Sequence, residues 1–327
     1  MERNKIRTFS SFSSTSRYNI FLLIVLIAVM VFFGLSKPKF FSLYNIMLLF
    51  RQYLPNMIIA CAMMFVIVGG AIDLSVGGVM ALSAISYAVL CVAGVDPWLA
   101  IVFVAFIGVV IGIINSLVIE KLQIPAFMAT IAGWLVYGGL AYTVCGGANP
   151  ISKPAMQVIT VLDNTKLFET IPLAVPIVLV VVAIFIFLEK RTVVGKYAIA
   201  IGGNYNAAYY SGINVFKMRL LFFVLCSVMA ALSGVWQVAR LSTADPKSIG
   251  LGTEFAVLSA CILGGVNIKG GQGSIIGVVM GAFLLAVLMN GMQFMGVPSF
   301  YQQVITGLVL LIVVFINYLV NRRRSYE

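Results

Sequence analysis

The residues best placed to do chemistry stand in the run from Gly69 to Gly78, where a single carboxylate, Asp73, lies between long apolar stretches. An ionisable group at membrane depth is costly, so it usually faces the interior of a helix bundle or a wet cavity. Glycines such as Gly70 and Gly77 allow a helix to break or to pack closely. Two interpretations of Asp73 and Ser75 stay open: they cap or gate the start of the next helix, or they contact a bound solute directly.

The chain lacks the residues that common enzymes and metal sites need. It has no histidine, the commonest general base and metal ligand. Its five cysteines are too widely spaced for a metal or redox motif, so we expect them to be small apolar packing residues. The phosphate-binding pattern GxxxxGK[ST] is also missing. We therefore predict no catalytic residues, no metal site and no cofactor bound by this chain.

The composition predicts that the elements around these residues are membrane-spanning helices. The chain is 62% hydrophobic and 9% charged, whereas soluble domains carry about 25% charged residues. A span needs about 20 apolar residues. We predict an all-α polytopic membrane protein with one domain, 18–320, between an N-terminal tail, 1–17, and a C-terminal tail, 321–327. Its ten apolar segments are 18–35, 45–69, 74–94, 97–119, 126–144, 171–188, 219–238, 254–268, 274–295 and 301–320.

The basic residues predict the orientation of these segments. The net charge of +11 lies in the gaps between apolar segments rather than in a stripe beside aromatic residues, so we do not expect nucleic acid as a partner. With the N-terminus in the cytoplasm, fourteen Lys and Arg residues are cytoplasmic, six are external and Arg51 lies in a span. This bias follows the positive-inside rule. We therefore expect both termini in the cytoplasm, the loop 145–170 outside and the loop 189–218 inside.

A weak internal repetition predicts a symmetric arrangement of the spans. The run Ile124–Phe127 opens the fifth span, and the similar run Val297–Phe300 opens the tenth. Glycine pairs precede each of them at unequal distances, at 69–70 and 264–265. The fifth span runs outward and the tenth runs inward, so spans 2–5 and 7–10 would form inverted repeats, as in many transporters. Chance similarity of two short runs is the alternative.

A second motif lies in the predicted cytoplasmic loop, from Gly202 to Ile213. Asn204 is a plausible N-cap, residues 206–211 would form a short helix, and Gly212 fits a left-handed position after its end. Such a helix either docks into a groove on a partner or is an ordinary surface helix. The sequence pattern alone leaves both interpretations open.

Several blocks in one order resemble the permease subunits of bacterial ABC importers for monosaccharides. These form the ribose-type branch of a superfamily that also includes branched-chain amino-acid permeases. The resemblance covers nearly the whole chain. The blocks are Ile72-Asp73-Leu74-Ser75-Val76-Gly77, Ile124-Pro125-Ala126-Phe127-Met128-Ala129-Thr130, Gly138-Gly139-Leu140-Ala141-Tyr142, Ala200-Ile201-Gly202-Gly203-Asn204, Ala239-Arg240-Leu241-Ser242 and Leu263-Gly264-Gly265-Val266.

The resemblance implies an assembly in the bacterial inner membrane. The permease pairs with a second copy or a paralogue. An ABC ATPase subunit, which carries ATP and Mg²⁺, binds below, and a periplasmic solute-binding protein docks above. The second motif corresponds to the segment that couples the permease to the ATPase. Its candidate residues are Gly203, Asn204, Ala207, Ala208, Tyr209, Ser211 and Gly212.

Two further sets of candidates follow. Gly70, Asp73, Ser75, Gly77 and Phe127 are expected at the translocation pathway or its gate. Arg240 and Glu254 flank the external loop 239–253, so we expect them to be rim charges that meet the binding protein.

Other functional classes fit the residues less well. Within the superfamily, an amino-acid or nucleoside permease is the alternative. An ion-driven secondary transporter would need intramembrane carboxylates, and the chain offers little beyond Asp73. A membrane enzyme would need a cluster of His, Asp, Glu or Cys, and the sequence shows none.

Overall fold

The computed structural model describes residues 14–147, 165–167, 171–302, 304–309, 311 and 315. Residues 1–13 of the predicted N-terminal tail, the predicted C-terminal tail and most of the loop 145–170 lie outside this range. The described chain is built almost entirely of helices. They are α1 Ser14–Ser36, α2 Leu43–Val68, α3 Val76–Val92, α4 Pro97–Glu120, α5 Ala126–Val144, α6 Ala174–Arg191, α7 Val193–Gly203, α8 Tyr205–Tyr210, α9 Val215–Leu241, α10 Thr253–Leu263 and α11 Ile275–Phe294.

The remaining elements are short. A 3₁₀ turn spans Pro38–Phe41, and β1, Lys166–Leu167, pairs antiparallel with β2, Ile171–Pro172. Residues 299–302 and 304–309 are also helical. Each of the ten predicted apolar segments contains a helix, which confirms the predicted class of polytopic helical membrane protein.

The helices differ in their fitness to span a bilayer. Among the described residues, six helices are long and apolar enough: α1 from Tyr18, α2, α4, α5, α9 and α11. By contrast, α3 has 17 residues and α10 only 11, fewer than the roughly 20 that a span needs. Helix α7 lies in the segment 189–218, where we expected a loop with one short helix. It has only 11 residues, one of them Lys196, and these are too few to stand out as a span.

Two glycine pairs end their helices in the same way. At the end of α2, Gly70 adopts φ +82° and the amide of Ala71 donates to the Val66 carbonyl at 3.0 Å. The end of α10 repeats this geometry at Gly265, with φ +80°. These turns need glycine because a side chain is strained at positive φ. They follow spans 2 and 8, which the predicted repeat does not pair, so the glycine pairs are not its signal and the repeat stays a prediction.

Helices α4 and α9 make a close backbone contact. Gly108 and Gly112, four residues apart on α4, face the backbone of α9. A Cβ on Gly112 would lie 2.5 Å from the Cα of Val224. Small residues at this spacing let membrane helices approach until their backbones touch. The contact fixes α9, which carries Arg219, Cys226 and Arg240, described below.

Candidate translocation and coupling sites

The segment between α2 and α3 is not helical, and Asp73 holds it in place. This side chain is 0% exposed. Its Oδ1 accepts hydrogen bonds from the Ser75 amide at 2.9 Å and from the Ser75 hydroxyl at 2.6 Å. Ser75 is the N-cap residue of α3 but makes no capping bond with its own side chain. Asp73 therefore faces the bundle interior, as predicted, and positions the start of α3.

A chain of hydrogen bonds connects this segment to two other helices. Asn115 of α4 donates through Nδ2 to the Ser75 hydroxyl at 2.8 Å, and Tyr137 of α5 donates to Asn115 Oδ1 at 2.7 Å. The second carboxylate oxygen of Asp73 has no hydrogen-bond partner among the described residues by distance and angle, and the Cys226 thiol of α9 interacts with the same side chain. The network satisfies polar groups that would be costly to leave unpaired in a low-dielectric interior. It fixes the break between α2 and α3.

The start of α3 also meets the start of α10. A Cβ on Gly77 would run into the Gly250 carbonyl and the Glu254 carboxylate, and it would lie 3.2 Å from Trp134 Nε1. Further along α3, the Thr253 hydroxyl lies 3.6 Å from the Met80 sulfur. Two short helices therefore begin at the same place. Helix N-termini carry partial positive charge, and transporters use such broken helices to build polar sites at membrane depth.

Glu254 corrects one expectation from the sequence. It was predicted as an exposed rim charge, but it is only 4% exposed. The reason is the path of the preceding segment, which folds back so that Glu254 enters the first turn of α10 against Gly77. Arg240 is half-buried and donates through Nε to Gln237 at 3.0 Å. The predicted pair of rim charges is therefore wrong for Glu254, and the docking role of Arg240 stays a prediction.

The other pathway candidates lie in different surroundings. Phe127, in the first turn of α5, is 55% exposed and takes no part in the Asp73 network. Its neighbour Thr130 does reach the break, because its hydroxyl donates to the Ile72 carbonyl at 3.2 Å. Gly70 is exposed at the other end of the segment. The structure therefore brings together Asp73 and Ser75, with Gly77 close behind, but not Phe127.

The motif from Gly202 to Ile213 folds locally as predicted. Asn204 caps α8, because its Oδ1 accepts a hydrogen bond from the Ala207 amide at 3.0 Å. After the helix, Gly212 adopts φ +84°, and the amide of Ile213 donates to the Ala208 carbonyl at 3.2 Å. This is the Schellman arrangement that a glycine at this position favours. Helix α8 begins at Tyr205, one residue earlier than expected.

Helix α8 shows an aromatic surface. Tyr209 and Tyr210 are 61% and 84% exposed, and their rings stand edge to face at 5.6 Å. Ala207 is exposed beside them, whereas Ala208 is only 4% exposed. Ala208 therefore packs against its own chain and is not part of the outer surface, which corrects its expected place at a partner contact. The face that a partner can reach comprises Tyr205, Ala207, Tyr209 and Tyr210.

Arg219 connects this surface to the transmembrane break, and sequence reasoning missed it. Its Nη1 donates to Glu120 Oε1 at 2.7 Å, at the end of α4. Its Nη2 and Nε donate to the Gly69 carbonyl at 3.1 and 3.3 Å, at the end of α2. The guanidinium also lies 5.2 Å from the ring centroid of Tyr205 in α8. One side chain thus touches α2, α4 and α8 from its place on α9.

Comparison with known proteins gives the family. A family model described as the permease component of branched-chain amino-acid transport systems matches residues 45–314. The ribose import permease of Bacillus subtilis is 38% identical over 94% of this chain and 91% of its own length. The D-allose permease of Escherichia coli is 32% identical over 94% and 93%, and the xylose permease of Haemophilus influenzae 30% identical over 90% and 95%. No solved structure gave a match.

The chain belongs to the ribose-type ABC permeases. It is a multi-pass membrane transport component rather than an enzyme. In this permease the segment before α8 also touches the membrane domain through backbone. A Cβ on Gly202 would strike the Val68 carbonyl, and it would lie 2.6 Å from the Gly271 amide. That amide donates to Val68 at 2.9 Å. Glycine at 202 therefore allows α7, the end of α2 and the segment before α11 to meet.

Proposed function

We propose that this chain is the membrane-spanning subunit of an ABC importer and forms the path for a monosaccharide. Relatives that match over at least 90% of both chains are named as a ribose import permease and as permeases of D-allose and xylose transport systems. The observation that carries the proposal is the pairing of an exposed aromatic helix, α8, with a direct contact to the transmembrane break. A transport subunit driven from the cytoplasm needs both features.

The coupling role belongs to α8. Tyr209 and Tyr210 offer large apolar area with polar tips, which is typical of interface anchors. Ala207, exposed on the same short helix, is small and leaves room for a partner's backbone. A displacement of α8 would act on Arg219 through Tyr205, and from there on the Gly69 carbonyl at the end of α2. Helix α8 would thus bind a groove on the ATPase and pass its movement to the segment that Asp73 holds.

The proposal also covers the orientation of the subunit, its membrane and its partners. Both termini lie in the cytoplasm and the bilayer is the bacterial inner membrane, in agreement with the bias of Lys and Arg residues. The permease pairs with a second copy or a paralogue, and a periplasmic solute-binding protein delivers the sugar from outside. ATP and Mg²⁺ bind to the ATPase, and this chain holds no cofactor of its own. Membership of the permease family supports these partners.

The test places a large side chain on the exposed face of α8. Ala207→Trp should reduce ATP-driven uptake of ribose about tenfold or more, since a clash at an interface costs at least the 1.4 kcal/mol of one such factor. Insertion should be unchanged, because Ala207 makes no transmembrane contact. The matched control is Ala93→Trp, since Ala93 is also exposed but lies at the end of α3.

Three quantities are measured in proteoliposomes that contain the permease, its ATPase and its binding protein: assembly, ATP hydrolysis and uptake. Normal values of all three for Ala207→Trp would show that α8 is an ordinary solvated helix. If uptake by the unmodified complex did not require ATP, the importer assignment itself would be wrong.

A further inference from the structure

The carboxylate of Glu189, in the last turn of α6, caps a helix that lies far from it in the sequence. Its Oε2 accepts a hydrogen bond from the Ile275 amide of α11 at 3.1 Å, across 86 residues. Ser274, the N-cap residue of α11, makes no capping bond through its own side chain within the described chain, and its hydroxyl interacts with the Glu189 carboxylate instead. A negative group at this place satisfies an amide that has no carbonyl partner in the helix, and it interacts favourably with the helix dipole. Glu189 therefore holds the start of α11.

The backbone around Glu189 forms a tight corner between α6 and α7. A Cβ on Gly195 would strike the Glu189 carbonyl, so α7 begins directly against the end of α6. Thr192 closes the corner, because its hydroxyl donates to the Leu188 carbonyl at 2.7 Å and accepts from the Val194 amide at 3.2 Å. These short contacts tie the direction of α7 to the end of α6. The corner and the carboxylate that it carries should therefore move together with α7.

The other end of α7 also meets the segment before α11. A Cβ on Gly270 would lie 3.0 Å from the Gly202 Cα, and a Cβ on Gly271 would lie 3.1 Å from the Gly203 Cα. Gly270 and Gly271 adopt φ +88° and +76°, which glycine reaches without strain. Helix α7 thus contacts the start of α11 through Glu189 and the segment just before it through backbone. Since α7 leads directly into α8, a movement of α8 should reach this segment.

The start of α11 packs backbone to backbone on α10. A Cβ on Gly277 would strike the Gly264 carbonyl, and a Cβ on Gly281 would strike the Ala260 carbonyl. Glycines at such spacing let membrane helices approach until their backbones touch. At its other end, α10 begins against Gly77 at the start of α3. A shift of α11 would therefore act on α10, and through α10 on the place where the two short helices begin.

This connection differs from the one that Arg219 makes. The contacts of Arg219 described above lie on α2, α4 and α8, and they lead to the Gly69 carbonyl just before the break that precedes α3. The contacts of Glu189 lie at the start of α11 and lead to α10. Each of the two short helices, α3 and α10, is thus reached from the region of α8 through a different buried or half-buried side chain.

We propose that Glu189 is a positioning residue for coupling, which passes a movement of α7 and α8 to α11 and α10. This role rests on the proposed function, because α8 must bind the ATPase for the movement to arise. The carboxylate itself touches no solute. It keeps the start of α11 attached to the corner between α6 and α7, so that the two move as one body.

The first measurement is the amount of sugar carried per ATP hydrolysed, in proteoliposomes that contain the permease, its ATPase and its binding protein. The sugar is D-ribose, D-xylose or D-allose, whichever the unmodified complex carries. Glu189→Ala removes the acceptor at the start of α11 and should lower this ratio about fivefold or more, the lower end of typical coupling between sites. Glu189→Gln keeps an oxygen at the same place on the side chain, so it should retain most of the ratio. Arg191→Ala is the control, since Arg191 is exposed two residues later.

The second measurement follows the segment before α11 directly. A cysteine replaces Gln272, which is exposed, in a background with Cys145→Ser; the other four cysteines are buried. The rate of maleimide labelling of the assembled complex is compared with and without a non-hydrolysable ATP analogue. The nucleotide should change this rate in the unmodified permease and in Glu189→Gln, but not in Glu189→Ala. Arg219→Ala should keep the change, because the contacts of Arg219 do not lead to α11.

A further variant covers the case in which Glu189→Ala does not insert into the membrane. Glu189→Asp keeps the charge but is one methylene shorter, so its oxygen withdraws from the Ile275 amide. The ratio of uptake to hydrolysis and the nucleotide response at position 272 should then both fall. A normal ratio and a normal response in Glu189→Asp would overturn the positioning role.

The outcomes separate the role of Glu189 from the function of the permease. Equal losses of hydrolysis and uptake in Glu189→Ala, with an unchanged ratio, would show that this residue only stabilises the fold. Loss of the nucleotide response in Arg219→Ala would overturn the separate connection. ATP-driven uptake without a nucleotide response at position 272 of the unmodified complex would overturn the positioning role but keep the importer. Uptake that does not require ATP would overturn the proposed function itself.

Discussion

Arg219 and Glu120 form an ion pair, with Nη1 and Oε1 2.7 Å apart, between the start of α9 and the end of α4. The two side chains are 16% and 6% exposed, so water screens the pair only partly. The remaining donors of Arg219 bind the Gly69 carbonyl. A planar guanidinium directs separate N–H groups at both acceptors, whereas a lysine offers a single nitrogen for the two. This pair therefore fixes the end of α2 relative to α4 and α9.

The first prediction is that Arg219→Ala uncouples ATP hydrolysis from uptake. Removal of the guanidinium leaves the Glu120 carboxylate and the Gly69 carbonyl without their partner, at a cost of roughly 1–3 kcal/mol. We expect lower thermal stability and a fall in sugar carried per ATP hydrolysed. Arg219→Lys should lie between, because it keeps the charge but loses the fork that reaches Gly69. Parallel assays of hydrolysis and uptake in proteoliposomes measure the ratio.

Lys217→Ala is the matched control, since Lys217 is exposed two residues earlier on the same helix. If Lys217→Ala and Arg219→Ala gave the same ratio of uptake to hydrolysis as the unmodified permease, Arg219 would have only a packing role.

The comparison of sequence and structure shows which features are local. Asn204 and Gly212 were predictable as cap and stop because their geometry depends on neighbours within a few residues. The burial of Asp73 was predictable because a charge in an apolar setting must turn inward. Arg219 was not, since its partners lie 99 and 150 residues away in the sequence. Nothing in its local sequence separates Arg219 from neighbouring basic residues such as Lys217.

The prediction for Glu254 was wrong for a related reason. The place of this residue beside a loop that was predicted to be external favoured an exposed charge, and only the tertiary path of residues 242–252 turns it against Gly77. Ala208 is a smaller case of the same kind: the cap and stop residues identified the helix, but the side of α8 that packs inward depends on how the helix sits against its own chain. Contacts between distant segments therefore account for what the sequence pattern could not predict.

The second prediction concerns the contact between α4 and α9. Gly112→Ala adds a methyl group that would lie 2.5 Å from the Val224 Cα, so the helices must move apart. Overpacking of this kind costs about 1–3 kcal/mol. Gly307→Ala adds the same group where no heavy atom lies within 4 Å. The thermal unfolding midpoint of the detergent-purified permease should fall for Gly112→Ala alone, and equal midpoints would contradict the close packing.

The third prediction concerns orientation. Cysteines are introduced singly at Tyr210, which is 84% exposed on α8, and at Lys247, which is exposed before α10. A membrane-impermeant maleimide is added to cells in which the outer membrane is permeabilised and the inner membrane is intact. It should label the cysteine at position 247 without further treatment. The Tyr210 position should react only after the inner membrane is opened, because the excess of Lys and Arg predicts that α8 is cytoplasmic. Labelling of both positions from the same side would refute this topology.

The fourth prediction is that the hydrogen bond acceptor of Asp73 matters more than its charge. Asp73→Asn keeps an oxygen for the Ser75 amide and hydroxyl, so we expect it to retain a large part of the uptake. Asp73→Leu removes the acceptor and leaves the Ser75 amide unpaired in the interior, at about 1–3 kcal/mol. Uptake should then fall about tenfold or more while membrane insertion persists. Uptake assays and membrane levels of the two variants are compared directly.

Asp96→Leu is the control that separates position from chemistry. Asp96 also accepts two hydrogen bonds, from the amides of Trp98 and Leu99, but it lies at the exposed start of α4. The loss of such a cap costs about 1 kcal/mol of stability, and it should leave uptake largely intact because no described contact joins Asp96 to the break between α2 and α3. Full uptake by Asp73→Leu would show that the break does not depend on this carboxylate. A loss in Asp73→Asn as large as in Asp73→Leu would instead show that the negative charge itself is required, because the asparagine still offers the oxygen that holds the start of α3.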